Sequence, residues 1–204
     1  MKALLLGAAL LLTLALPATA QKASMWKHLQ RPDAGASLRF MTLSSGDTSR
    51  FEMTGIGAIG GFNLPFLELG EDMSLGFNPN IVWGYYLSTD MLGMSFEIPA
   101  YITFKWGTDA TWGGSKSWVG TTLGLGYDYN VLVLSELGIV SYGIPSLMAE
   151  VNFGKRRGGV GLIKLRYSMG LGGYTHEVLD DSSSDIYNLD FTQYGFDLII
   201  TSGY

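Results

Sequence analysis

From Met94 to Trp106 the chain alternates without interruption. The even positions are Met94, Phe96, Ile98, Ala100, Ile102, Phe104 and Trp106; the odd positions between them are Ser95, Glu97, Pro99, Tyr101, Thr103 and Lys105. A period of two puts alternate side chains on opposite faces of a β-strand, so this segment predicts a strand with one apolar and one polar face. Its 13 residues are long for a soluble strand and suit a tilted strand that crosses a bilayer.

Seven further segments read the same way, giving eight strands over residues 34–43, 51–62, 73–86, 93–106, 117–130, 144–154, 159–173 and 190–203. In the third, Leu75, Phe77, Pro79, Ile81, Trp83 and Tyr85 oppose Ser74, Gly76, Asn78, Asn80, Val82 and Gly84. Pro79 lacks a ladder donor, which predicts a bulge there. The second, with Gly55, Gly57, Gly60 and Gly61, has no clear register and predicts a bulge or bend. The fold class is therefore all-β, an eight-stranded antiparallel barrel.

Periodicity does not say which face points inward. A soluble barrel of lipocalin type keeps its apolar face inside, whereas a transmembrane barrel turns it out. Three features favour the transmembrane form. The polar face is rich in Gly, Ser, Thr and Asn, which fit the crowded interior of eight strands. Trp83, Tyr85, Trp106, Tyr127, Tyr129 and Tyr204 sit near strand ends, where interfacial girdles belong. The well-registered apolar faces carry no ionisable residue. Only 15% of residues are charged, against about 25% in ordinary soluble domains. The lumen would then hold Arg39, Lys105, Lys164 and Arg166 against Glu97, Asp128, Glu150 and Asp197, with Glu52 joining if its strand is in register. Charges in a low-dielectric interior must pair, so these eight predict a salt-bridged plug. The alternative is a narrow selective pore.

The first twenty residues read as a signal peptide: Lys2 as the positive region, an apolar run from Ala3 to Leu16, and a cleavage site closing at Ala20. Cleavage there leaves 184 of 204 residues, one domain over 34–204 preceded by a periplasmic segment, 21–33. Loss of Lys2 takes the formal charge from −5 to −6, which argues against a nucleic-acid partner. The chain has no cysteine, so no disulfide staples it in an oxidising compartment. Eight strands place both termini on the periplasmic side. Turns 44–50, 87–92, 131–143 and 174–189 then face outward, and 63–72, 107–116 and 155–158 face the periplasm. The stretch 131–140 is unusually apolar for a loop: it either extends the neighbouring strands or folds over the barrel mouth.

Signal peptide, eight amphipathic strands and an aromatic last residue together resemble the small outer-membrane barrels of Gram-negative bacteria, of which outer-membrane proteins A and X are familiar members. The most specific stretch, Tyr194-Gly-Phe-Asp-Leu-Ile-Ile-Thr-Ser-Gly-Tyr204, is similar to the C-terminal signal read by the barrel-assembly machinery, although that signal often ends in Phe. The resemblance implies a monomer in the outer membrane whose partners are membrane lipid, lipopolysaccharide and the assembly machinery, with no cofactor.

Other motifs carry little chemistry. Gly55-Ile-Gly-Ala-Ile-Gly60 spells a dinucleotide fingerprint, but Phe62-Asn63-Leu64-Pro65 follows, and nothing there starts a helix. The mature chain has only His28 and His176, too few for a His-rich zinc site. Outer-membrane lipid A deacylases set His and Ser two apart; Tyr174-Thr-His176-Glu177 has no such Ser, and Ser168 is several residues away. The acidic run 180–185 lacks the glycine and spacing of an EF-hand and reads as a solvated loop, with a weak divalent-cation contact to lipopolysaccharide as its alternative. The functional expectation is a structural or surface-interaction protein, not an enzyme, without a catalytic, cofactor or metal site.

Overall fold

The computed structural model describes residues 32–45, 49–88, 92–111, 117–135, 138–154, 161–179 and 190–201; of residues 45, 49–51 and 173–179 it describes the backbone alone. The signal peptide, most of the 21–33 segment, the 155–158 turn, the acidic run and Tyr204 lie outside the described residues. The described residues form ten strands: β1 (Asp33–Ser45), β2 (Ser49–Gly61), β3 (Leu64–Glu68), β4 (Met73–Leu87), β5 (Leu92–Gly107), β6 (Val119–Leu134), β7 (Gly138–Phe153), β8 (Leu162–Gly170), β9 (Gly173–Leu179) and β10 (Asp190–Thr201).

These ten make eight staves. β2 and β3 follow one another along β4, and β8 and β9 follow one another between β7 and β10. Neighbouring staves are antiparallel, and β1 pairs with β10 from Asp33↔Thr201 to Ser44↔Asp190, which closes the barrel. The alternation of β5 is realised as expected, with Phe96, Ile98, Ile102 and Phe104 exposed and Glu97, Tyr101, Thr103 and Lys105 buried inside.

Two local expectations are corrected. β2 holds one register against β1 from Gly61 to Ser49, so the glycine-rich stretch carries no bulge; the interruption comes just after it, at Phe62 and Asn63. This register turns Glu52 to the outside, away from the lumen. The pairing of β4 with β5 is likewise unshifted across Pro79, and the irregularity falls instead between Pro65 and Leu67. Pro79 is tolerated because its neighbour supplies the missing donor. Pro79 accepts from the Phe62 amide at 3.1 Å, and the Asn78 side chain donates to the Phe62 carbonyl at 2.8 Å, where a backbone N–H would otherwise have done so.

The apolar 131–140 stretch extends the neighbouring strands. β6 runs to Leu134 and β7 begins at Gly138, which leaves a short turn. At the barrel end that holds the termini, the expected 107–116 turn begins by folding inward. Gly107 turns the chain at φ 80°, Asp109 follows at φ 67°, and Thr108 to Thr111 are buried. Gly107 is suited to this backbone, which a side chain would strain. The fold is stitched to both other turns at that end. Gly107 N donates to Asp72 O at 2.8 Å, Thr111 Oγ1 to Glu71 O at 3.0 Å and Thr108 Oγ1 to Gly154 O at 3.0 Å.

Candidate functional site: the filled lumen

All eight residues expected in the lumen are buried there, together with two more acids, Asp33 and Asp109. The strand registers sort the interior into three tiers between the terminus end and the loop end.

The middle tier centres on Arg39. Its Nε lies 3.0 Å from Glu97 Oε2 and its Nη1 2.6 Å from Asp197 Oδ1. Glu97 also accepts from Tyr86 Oη at 3.0 Å and from Gln193 Nε2 at 3.1 Å, so β1, β4, β5 and β10 are tied across the barrel through one carboxylate. The guanidinium has room because Gly195 stands beside Arg39 in the register; a Cβ there would run into Arg39 Nη1 and Ser168 Oγ. Asp128 belongs to this tier, but it makes no ion pair among the described residues and its Oδ1 has no hydrogen-bond partner.

The tier at the terminus end follows from lateral pairing. Asp197 faces Arg166, Arg166 faces Glu150, Glu150 faces Thr122, and Thr122 faces Lys105, so one line of neighbours across β10, β8, β7, β6 and β5 alternates in charge. Directly opposite side chains on one face lie close enough to interact. Arg166 Nε and Nη2 donate to Glu150 Oε2 at 3.0 and 2.8 Å, and Nη2 also reaches Asn78 Oδ1 at 3.0 Å. Lys105 Nζ sits 4.0 Å from Glu150 and 3.3 Å from Asp109. Lys164 Nζ bridges Asp109 at 3.0 Å and Asp33 at 2.9 Å, and Thr201 Oγ1 donates to Asp33. The inward-folded turn is thereby latched to the barrel wall by two lysines.

The loop-end tier was not expected. Met41, Leu43, Met53, Tyr86, Leu132, Leu134, Val140, Tyr142, Ile144 and Phe191 form one buried apolar cluster, with the Tyr142 and Phe191 rings stacked at 4.0 Å. Here the inward face ceases to be polar. The sequence signal was the run Val131-Leu132-Val133-Leu134, apolar at both parities. Asp33 also had a signal, since it shares parity with the inward Ser37 and Arg39. Asp109 had none, because a turn residue's direction is not periodic. Six acids against four bases line the interior among the described residues, and no group of three or more Asp, Glu, His or Cys among them is placed to hold a metal ion. His176 lies in β9, with its side chain outside the description.

No protein-family model matches the chain, and no curated protein does. Among solved structures it is similar to Neisserial surface protein A, at 12% identity over 85% of this chain and 97% of the other, with a TM-score of 0.48. Ail, the attachment invasion locus protein of Yersinia pestis, matches at 8% identity over 84% and 97%, TM-score 0.44. The outer membrane protein OprG from Pseudomonas aeruginosa matches at 7% over 84% and 93%, TM-score 0.43. All three TM-scores lie below 0.5, and it is the closed barrel of eight antiparallel staves itself that agrees with the expected fold.

Proposed function

We propose that the chain is an outer-membrane barrel whose lumen is closed by its own side chains, and that its role is structural or one of surface contact, neither pore nor enzyme. The observation that carries the reading is the interior itself: an apolar tier and two ion-paired tiers in series. Eight strands leave space for little beyond side chains. The membrane placement is supported by the exterior, where Ile56, Leu123, Leu125, Ile163, Phe196 and Ile200 are between 49% and 61% exposed. In water such a belt would be an aggregation site, whereas in lipid it is the required surface. Trp106 and Trp118 lie at its terminus end, and Trp83, Tyr85 and Tyr129 lie further toward the loops.

In this reading the leader is cleaved after Ala20, and the monomer meets membrane lipid along the wall, lipopolysaccharide at the loop end and the barrel-assembly machinery through its C-terminal strand. The test is conductance of the purified protein in planar bilayers. A closed lumen gives no stepwise current, and stepwise current from the unaltered protein overturns the closure. Because acids outnumber bases inside, any such current would be expected to select cations. Purified protein should also stay soluble only in detergent or lipid and migrate differently on a gel before and after boiling.

A further inference from the structure

The apolar exterior does not end at one height. On β1, β2 and β10 it stops just past Phe40, Ile56 and Tyr194, where the next outward residues are Thr42, Thr54 and Thr192, followed by Ser44, Glu52 and Asp190. The registers gather these into one polar rim, with Thr42 opposite both Thr192 and Glu52, and Ser44 opposite Asp190. On the β2–β4 side the boundary falls at one pair, Thr54 opposite Leu87. Beyond it Leu87 faces Leu92, Met94 faces Val133, and Val133 faces Ile139. These five are between 44% and 56% exposed. At ~3.3 Å per residue, Val133 lies about 13 Å further along β6 than Tyr129. The terminus end shows no such step: Phe66, Trp106, Phe153, Ile163 and Ile200 carry the apolar surface down on both halves.

The tall half is apolar on its inner face as well, through Leu132, Leu134 and Val140. Strands that are apolar on both faces are strands covered on both faces. The inner cover is the apolar tier. For the outer cover the chemistry of the wall decides. These five are aliphatic or thioether side chains; the exposed aromatic beside them, Tyr85 opposite Met94, belongs to the belt below, no arginine stands among the described residues of these two hairpin ends, and the wall continues the lipid-facing belt without a break. We propose that the hairpin ends of β4–β5 and β6–β7 are sheathed by lipid acyl chains, so that hydrocarbon climbs higher on this side of the barrel than on β10, β1 and β2. This rests on the membrane reading above. Local thickening of a bilayer around an overlong apolar surface is an ordinary response to mismatch.

The absence of cysteine makes the test clean. Single variants Leu87→Cys, Val133→Cys and Ile139→Cys, with Glu52→Cys and Thr54→Cys on the polar rim and Leu123→Cys at mid-belt, are labelled with an environment-sensitive fluorophore and refolded into phospholipid vesicles. Gel mobility before boiling confirms that each variant folds. Two quenchers are compared, bromine on the acyl chains and iodide in the water. The proposal expects the three wall labels to be quenched by brominated chains as strongly as Leu123→Cys, and the rim labels by iodide. Iodide quenching of the wall with Leu123→Cys still in lipid overturns the proposal and leaves the membrane reading standing. Iodide quenching of Leu123→Cys overturns both. Self-quenching confined to the wall and relieved by unlabelled protein assigns the surface to a second copy and overturns the lipid sheath.

Discussion

Replacing Arg39 with methionine removes one guanidinium from between two buried carboxylates and leaves the side-chain stem in place. Glu97 keeps two donors, Tyr86 at 3.0 Å and Gln193 at 3.1 Å. Asp197 fares worse, because its Oδ2 already lacks a partner and its Oδ1 loses the 2.6 Å contact. Breaking a buried pair by removing one member costs about 3–5 kcal/mol, mostly as the uncompensated charge left behind. The donors that remain on Glu97 set the expectation at about 4 kcal/mol, a large share of the ~5–15 kcal/mol a domain has. With a denaturant slope of about 2 kcal/mol per molar urea, the unfolding midpoint in lipid vesicles falls by about 2 M. The same logic fixes the rescue. In Arg39→Met with Glu97→Gln and Asp197→Asn no charge remains stranded, and most of the loss should return. A loss under about 1 kcal/mol for Arg39→Met, or a triple variant no more stable than the single one, would refute the claim that this pairing holds the middle tier.

Three further substitutions test neighbouring parts of the interior. Gly195→Ala drives a methyl into the Arg39 guanidinium and should cost about 1–3 kcal/mol, whereas Gly60→Ala, whose nearest neighbour would be Asp33 O at 3.7 Å, should cost far less; equal urea midpoints would refute the packing argument. Asp128→Asn removes a buried carboxylate that has no ion-pair partner among the described residues, so its midpoint should hold or rise, opposite in sign to Arg39→Met. Lys164→Met takes the ion pair from Asp33 and leaves Asp109 with Lys105 at 3.3 Å, so it should loosen the inward turn; faster amide hydrogen exchange at residues 108–111 is the expected readout, and unchanged exchange would show that Lys105 and the hydrogen-bonded stitches hold the turn without Lys164.

The barrel was legible because a closed sheet in lipid imposes the same period on every stave; β5 obeys it from Met94 to Trp106, and β6 and β10 obey it over their terminus-end and middle parts. The charges on those staves were legible for the same reason: parity alone sent Glu97, Lys105, Asp128 and Asp197 inward. What escaped were features that parity does not encode. Asp109 comes inward through a left-handed turn. Glu52 was undecided because glycine conceals the parity of β2. The bulge expected at Pro79 is absent because the side chain of Asn78 takes over a backbone role, a substitution visible only once β2 and β4 are side by side. The loop-end tier escaped for a different reason. Its strands are apolar at both parities, and a period of two cannot be read where both faces are alike.

The two kinds of tier exclude different things. An ion that displaces the pairs around Lys164 and Arg39 next meets the stacked Tyr142 and Phe191 rings with Leu132 and Met41 around them, an apolar constriction of the sort that closes pores by excluding water. An apolar solute that enters past those rings meets Arg39, Glu97 and Asp197, which have no reason to admit it. Closure by two barriers in series predicts that damage to one is not sufficient. Arg39→Met and Lys164→Met should each remain silent in planar bilayers despite their lost stability. Current should require a second change in the apolar tier, such as Phe191→Ser added to Lys164→Met. Stepwise current from either single ionic-tier variant would show that the charges alone close the lumen and that the apolar tier is packing without a barrier role.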